Sequence, residues 1–202
     1  MIRHGLTGPP ASSDPSDAVL SGIYPLYFRD EFLGSCIAIA PRILITAGHH
    51  FNSLKDDVGD LHLLDAASEG EITVVYVSKD RVHDLLVLWV SADLNWVPLR
   101  GFQPPVGARV ATVWLSTKWP HDTIVSPGTV IEVNRGNCVV RGTVSTTGSS
   151  GSPVVDQFGD HIVGMHLISN TRDGSRVSGF ISSRMIVSAL VAMGVPCREV
   201  ER

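Results

Sequence analysis

Three separated segments of the chain carry side chains suited to acyl transfer. One is Thr147-Gly148-Ser149-Ser150-Gly151-Ser152-Pro153. Glycines flanking a serine allow a tight turn that aims successive backbone N–H groups at one point, as an oxyanion hole requires. A hydroxyl is a poor nucleophile until a base takes its proton and a carboxylate orients that base. The run Ile43-Leu44-Ile45-Thr46-Ala47-Gly48-His49 ends in a histidine, and Asp84-Leu85-Leu86-Val87-Leu88 begins with an aspartate. His49 and Asp84 lie 35 positions apart, and Asp84 and Ser150 lie 66 apart. On residue type alone Ser149, Ser150 and Ser152 are all candidate nucleophiles.

The elements that must position these residues read as strands. From residue 20 onward, short β-branched or apolar runs alternate with Gly, Pro, Asn or Asp, the signature of an all-β sandwich or barrel. Strands are predicted near residues 24–29, 35–40, 43–46, 60–65, 72–78 and 85–89, and near 109–115, 128–132, 138–141, 152–155, 162–167 and 177–181. Between the two sets, residues 97–107 hold three prolines and two glycines, which suits a crossover. The period changes in the tail, where Met185, Ile186, Ala189, Leu190 and Met193 recur at helical spacing. Ser182 or Ser183 is available there as the N-cap, and Gly194 and Pro196 form the stop. The expected organisation is an N-terminal arm over 1–19, β units over 20–100 and 101–181, and a helix and tail over 182–202, with no internal repeat.

Composition narrows the function classes. The 202 residues are 44% hydrophobic, enough for one substantial core or two small ones, and the formal charge is −4 without long runs of either sign. Nucleic-acid binding is therefore disfavoured, since it would need Arg135, Arg141, Arg172, Arg176 and Arg184 to converge on one face. No apolar stretch reaches the roughly 20 residues of a membrane span, so a soluble chain is expected. Residues 1–19 lack the apolar core of a secretory signal and read as a mobile arm. Cys36, Cys138 and Cys197 form neither a disulfide framework nor a metal-ligand pattern. Cys36 and Cys138 are expected to be buried thiols in a reducing cytoplasmic setting. His49 and His50 are adjacent, and no HExxH or Cys-x-x-Cys pattern exists. Neither metal nor cofactor is expected, and His4, His62, His121 and His161 read as turn or surface residues.

Taken together, LITAGH, HDLLVL and GSSGSP resemble the three signature blocks of chymotrypsin-like serine proteases, in that family's order, over residues 35–181. The resemblance implies two six-stranded antiparallel β-barrels with the site in the cleft between them. It also implies that Ser150 is the nucleophile, His49 the general base and then acid, and Asp84 the residue that orients the imidazole. Only Ser150 matches the Gly-x-Ser-Gly-x-Pro pattern, and the N–H groups of Gly148 and Ser150 would form the oxyanion hole. Digestive members carry Cys after the histidine and Asp before the serine, whereas this chain has His50 and Ser149. Activation by zymogen cleavage is therefore not expected.

Short barrels without disulfides resemble the compact serine proteases of positive-strand RNA viruses, the sobemovirus-like and 3C-like polyprotein-processing enzymes. Glutamyl endopeptidases and HtrA-type proteases are similar too, although no PDZ domain is expected after the tail helix. A catalytically silent binding module on the same fold is the alternative of a different class. The resemblance places Gly164-Met165-His166-Leu167-Ile168-Ser169 along the substrate. His166 falls where glutamate-specific members carry histidine, Ser145, Thr147 and Ser169 fall where hydroxyls join the same pocket, and Val144 falls at its base. The expected substrate is a polypeptide with Glu or Gln before the scissile bond, including the chain's own precursor polyprotein, in the host cytoplasm if the source is viral.

Overall fold

The alternating apolar runs fold into strands that close on themselves twice. A computed structural model describes residues 14–51, 58–65, 70–118, 120–172 and 174–196. The first barrel comprises β1 (Ile23–Phe28), β2 (Glu31–Ala40), β3 (Ile43–Ala47), β4 (Leu61–Asp65), β5 (Gly70–Asp80) and β6 (Leu85–Val90). The second comprises β7 (Arg109–Leu115), β8 (Thr123–Asn134), β9 (Asn137–Arg141), β10 (Pro153–Asp156), β11 (Ile162–Arg172) and β12 (Ser175–Ser182). Neighbours run 1-2-3-6-5-4 around the first barrel and 7-8-9-12-11-10 around the second. The two barrels thus share one connectivity. This repeat lies in the hydrogen-bonding pattern and not in the residues, which is why the sequence shows none.

The strands that carry the site are buried on both faces. Along β3, Leu44 points into the first barrel with Leu86 and Leu88 of β6. Ile43 and Ile45 point the other way, into a core shared with Ala111, Val113, Val155 and Met165 of the second barrel. That double burial explains the unbroken apolar run of β6, since a strand with one wet face would alternate. A third cluster fills the second barrel around Val130, Val140, Val154 and Phe180.

Several boundaries differ from those read in the sequence. β8 begins at Thr123 and runs through Pro127-Gly128, a pair that reads as a turn, with Pro127 opposite Ala111. β11 and β12 extend to Arg172 and back from Ser175 with exposed polar residues, held by ladder pairing and not by burial. Of the arm expected over 1–19, residues 1–13 lie outside the described residues. Residues 14–19 belong to the fold: α1 (Asp17–Ser21) buries Val19 in the shared core, and Ser16 N–H donates to the Gly159 carbonyl at 3.0 Å. α2 (Ser183–Ala192) is capped by Ser182, whose hydroxyl accepts from Met185 N–H, and it buries Ile186 and Leu190. Among the described residues no helix is long and apolar enough to cross a membrane.

Cys36 and Cys138 are free and buried, one in each barrel, and Cys197 lies outside the described residues. Burial pushes the Cys36 thiol up to about 12 and Cys138 to about 11, so neither presents a reactive thiolate at neutral pH. Alkylation of the native protein followed by peptide mapping should leave both unmodified until the barrels are unfolded by denaturant. Rapid native-state labelling of Cys36, or a disulfide at either residue, would contradict this burial.

Candidate active site

Strand register brings the histidine and the aspartate together. Ala47 of β3 faces Leu85 of β6, so the next residues outward, Gly48 and Asp84, also meet, and Gly48 N–H donates to the Asp84 carbonyl at 2.7 Å. The chain then tightens into a 3₁₀ turn, Gly48–Phe51, that carries His49. Asp84 adopts φ +52°, a left-handed conformation that aspartate tolerates better than most residues. His49 Nδ1 donates to Asp84 Oδ2 at 2.7 Å. With Nδ1 engaged as donor, Nε2 is the ring nitrogen left to accept a proton.

The serine loop joins β9 to β10 and is tied to β11. Gly151 N–H donates to the His166 carbonyl at 2.9 Å, and His166 N–H donates to the Ser152 carbonyl at 2.8 Å. These bonds continue the β10–β11 ladder and set Ser150 beside Leu167, whose carbonyl accepts from Ser150 Oγ at 3.1 Å. Among the described residues no hydrogen bond joins Ser150 to His49. In the same loop Ser149 N–H donates to the Thr146 carbonyl at 3.1 Å and Ser152 N–H to the Ser149 carbonyl at 3.3 Å. The N–H groups of Gly148 and Ser150 donate to no protein group among the described residues. Gly148 has φ +88°, and a Cβ there would sit 2.6 Å from the Phe32 ring.

Gly151 seats this loop on the first barrel. At φ +83°, a Cβ at this position would lie 2.1 Å from Thr46 Oγ1 and 2.4 Å from the Ser35 carbonyl oxygen. Ser35 is itself buried between the barrels: its carbonyl accepts from Thr46 Oγ1 at 2.9 Å, and its hydroxyl accepts from Leu115 N–H at 3.2 Å.

The residues assigned to a specificity pocket are partly assembled. His166 is only 1% exposed, and its Nδ1 is buried without a partner among the described residues. Burial, and then the charge of nearby His49, lowers its pKa to about 4, so the ring is neutral at neutral pH. The Ser145 and Ser169 hydroxyls are hydrogen-bonded to each other. Thr147 and Ile168 are exposed, Leu167 is half-buried, and Val144 is 48% exposed.

Three neighbours of the site were not evident from the sequence. Ser178 of β12 lies opposite Ser169, buried, and its Oγ has no partner among the described residues. The alignment of β12 with β11 depends on a bulge between His166 and Ile168 that no residue type announces. His121, expected at the surface, is half-buried between the barrels. Its Nδ1 donates to the Ser116 carbonyl, so its Nε2 accepts from Tyr27 O–H at 2.6 Å. Its ring also packs 5.0 Å from that of Phe32. His62 likewise stacks on Tyr27, because the aromatic side chain of β1 covers it. The third neighbour, His50, reaches the Ser150 carbonyl with Nε2 at 3.2 Å.

Residues 34–165, more than half of the chain, match the model of the trypsin-like peptidase domain. The chain belongs to this family and is a serine endopeptidase. No curated protein matches it by sequence at a significant level. Solved structures share its fold at low identity. The HtrA-type protease AlgW with a decapeptide is 15% identical with TM-score 0.69, over 88% of this chain and 66% of that one. An inactive serine-to-alanine mutant of Rv3671c from M. tuberculosis H37Rv is 16% identical with TM-score 0.67, over 92% and 96%. Neuropsin, a serine protease of mouse brain, is 14% identical with TM-score 0.70, over 91% and 98%.

Two outcomes follow from this geometry. Gly151→Ala should cut turnover by about a hundredfold or more, because the loop must back away from Thr46 and Ser35 and a shift of ~1 Å costs that much; steady-state kinetics near wild-type values would contradict the seating. The second concerns pH. An unfolded histidine protonates near 6.5, whereas folded His166 does so only near 4. Between these values the unfolded state binds more protons, so stability is full above 6.5 and falls as pH drops toward 4, by on the order of 3 kcal/mol. His50, also lowered by burial, adds a fall of the same sign. Denaturant unfolding at pH 7 and pH 4 should show a smaller acid loss for His166→Gln than for wild type; equal losses would contradict the burial of a neutral ring.

Proposed function

We propose that Ser150 attacks the scissile carbonyl, with His49 as general base and then acid, Asp84 orienting His49, and the Gly148 and Ser150 N–H groups stabilising the oxyanion. The observation that carries this reading is the 2.7 Å bond from His49 Nδ1 to Asp84 Oδ2, which fixes the tautomer whose Nε2 can take the serine proton. Catalytic hydrogen bonds are often completed only in the substrate complex. On that basis Ser150 Oγ leaves the Leu167 carbonyl by rotation about χ1 when substrate arrives, and the freed carbonyl pairs with the substrate backbone along Leu167, Ile168 and Ser169.

The substrate is a polypeptide with Glu or Gln before the scissile bond. This is supported by the neutral, buried ring of His166, whose Nδ1 has no partner among the described residues, and by the hydroxyls that Ser145, Ser169 and Ser178 bring together further along β11 and β12. An imidazole N–H there would donate to the carboxylate or amide oxygen of the substrate side chain. Val144 offers a Lys or Arg side chain no counter-charge. Thr147, at the loop entrance, completes the wall. The natural substrate is a precursor polyprotein in a reducing cytoplasm, a setting to which the free thiols Cys36 and Cys138 are suited.

A matched peptide series with Glu, Gln, Lys, Arg, Phe and Leu at that position should show the highest kcat/KM for Glu and Gln. Ser150→Ala should abolish cleavage, and His166→Ala should remove the preference. A preference for Lys or Phe would overturn the pocket, and turnover surviving in Ser150→Ala would overturn the nucleophile.

A further inference from the structure

The 3₁₀ turn that carries His49 also carries a second imidazole, aimed at the nucleophile's own backbone. His50 Nε2 lies 3.2 Å from the Ser150 carbonyl oxygen. A carbonyl can only accept, so the imidazole must hold its proton on Nε2 and donate. Burial is the main influence on this ring and lowers its pKa, which keeps it a neutral donor at neutral pH. The other end of the same peptide unit is also held, since Gly151 N–H donates to the His166 carbonyl at 2.9 Å. The Ser150–Gly151 peptide is therefore gripped at its C=O by the first barrel and at its N–H by the second.

Space for this grip is provided by Gly34 of β2. A Cβ on Gly34 would stand 2.8 Å from the Ser150 carbonyl oxygen and 2.9 Å from His50 Nε2, wedged against both partners of the bond. The His49 and His50 rings are 4.8 Å apart, centroid to centroid. The base and the group gripping the nucleophile thus sit side by side on one short turn, which follows the doubly buried strand β3. A shift of the serine loop relative to His49 has to break the His50 bond.

We propose that His50 is a positioning residue that sets the separation between His49 and Ser150 by holding the Ser150 carbonyl across the cleft between the barrels. The proposal rests on the triad reading above. His50 bonds the Ser150 carbonyl and not its hydroxyl, and acts through the peptide that carries Ser150. Its loss lowers the rate of the chemical step and leaves substrate contacts along β11 in place.

The test is steady-state hydrolysis of the preferred peptide by full-length His50→Ala, His50→Gln and His50→Asn, each with a thermal unfolding curve. A glutamine amide nitrogen reaches about as far as imidazole Nε2, whereas that of asparagine falls short. His50→Ala and His50→Asn should lose about tenfold to a hundredfold in kcat with KM within about twofold, and His50→Gln should recover most of the loss. Gly34→Ala strikes the bond from its other side and keeps the test open where a His50 variant fails to fold. Combined with His50→Ala, it should cost no more in kcat than the worse single change, because both remove one interaction. Three His50 variants with the same kcat, a loss confined to KM, or additive losses in the double variant would overturn the role of His50. Wild-type turnover that survives Ser150→Ala would instead bring down the triad reading on which it rests.

Discussion

Everything at the cleft depends on a contact that has room for no side chain: Gly151 pressed against Thr46 and the Ser35 carbonyl of the first barrel. His49 and Asp84 belong to that barrel and the serine loop to the other, so their relation is a question of how two separately closed barrels meet. Close approach of the loop backbone answers it, because a backbone held against a carbonyl and a buried hydroxyl has few ways to yield. The Ser35 hydroxyl accepting from Leu115 N–H and the Tyr27 hydroxyl donating to His121 tie the same junction at its sides.

Rigidity behind the contact comes from double burial. Leu44, Leu86 and Leu88 fill the first barrel while Ile45, Leu85 and Val87 on the same strands fill the junction. Fully burying each such side chain contributes about 1.5–3 kcal/mol, so β3 and β6 cannot slide without exposing a face. A one-residue slip would exchange the two sets and separate Asp84 from Gly48. The register that makes the core thus also places the carboxylate, and the 3₁₀ turn needs only to present His49 to it.

The fold was legible because its signals are local. Short β-branched or apolar runs, the turn residues between them and the Pro-rich crossover marked the strands, and the apolar periodicity at Met185, Ile186 and Leu190 marked α2. The histidine and aspartate blocks were legible for a related reason, since each is an apolar strand ending in a chemical residue. The rest was hidden because it depends on contacts between distant segments. Nothing about Val19 says that it fills the shared core, and Pro127-Gly128 imitates a turn although Pro127 sits within a strand. His50 reads in sequence as a mere neighbour of His49, and its partner is 100 positions away. Ser178 meets Ser169 only through a bulge.

In the proposed mechanism this junction activates one serine out of three in the loop. Ser149 is buried and donates its hydroxyl to the Thr146 carbonyl, and Ser152 is wholly buried, whereas Ser150 is half-buried. Reaction of the native protein with a fluorophosphonate, followed by mass mapping of the adduct, tests this most directly. One adduct should form, on Ser150, and its formation should be lost in His49→Ala. An adduct on Ser149 or Ser152, or labelling of Ser150 at an undiminished rate in His49→Ala, would contradict the mechanism.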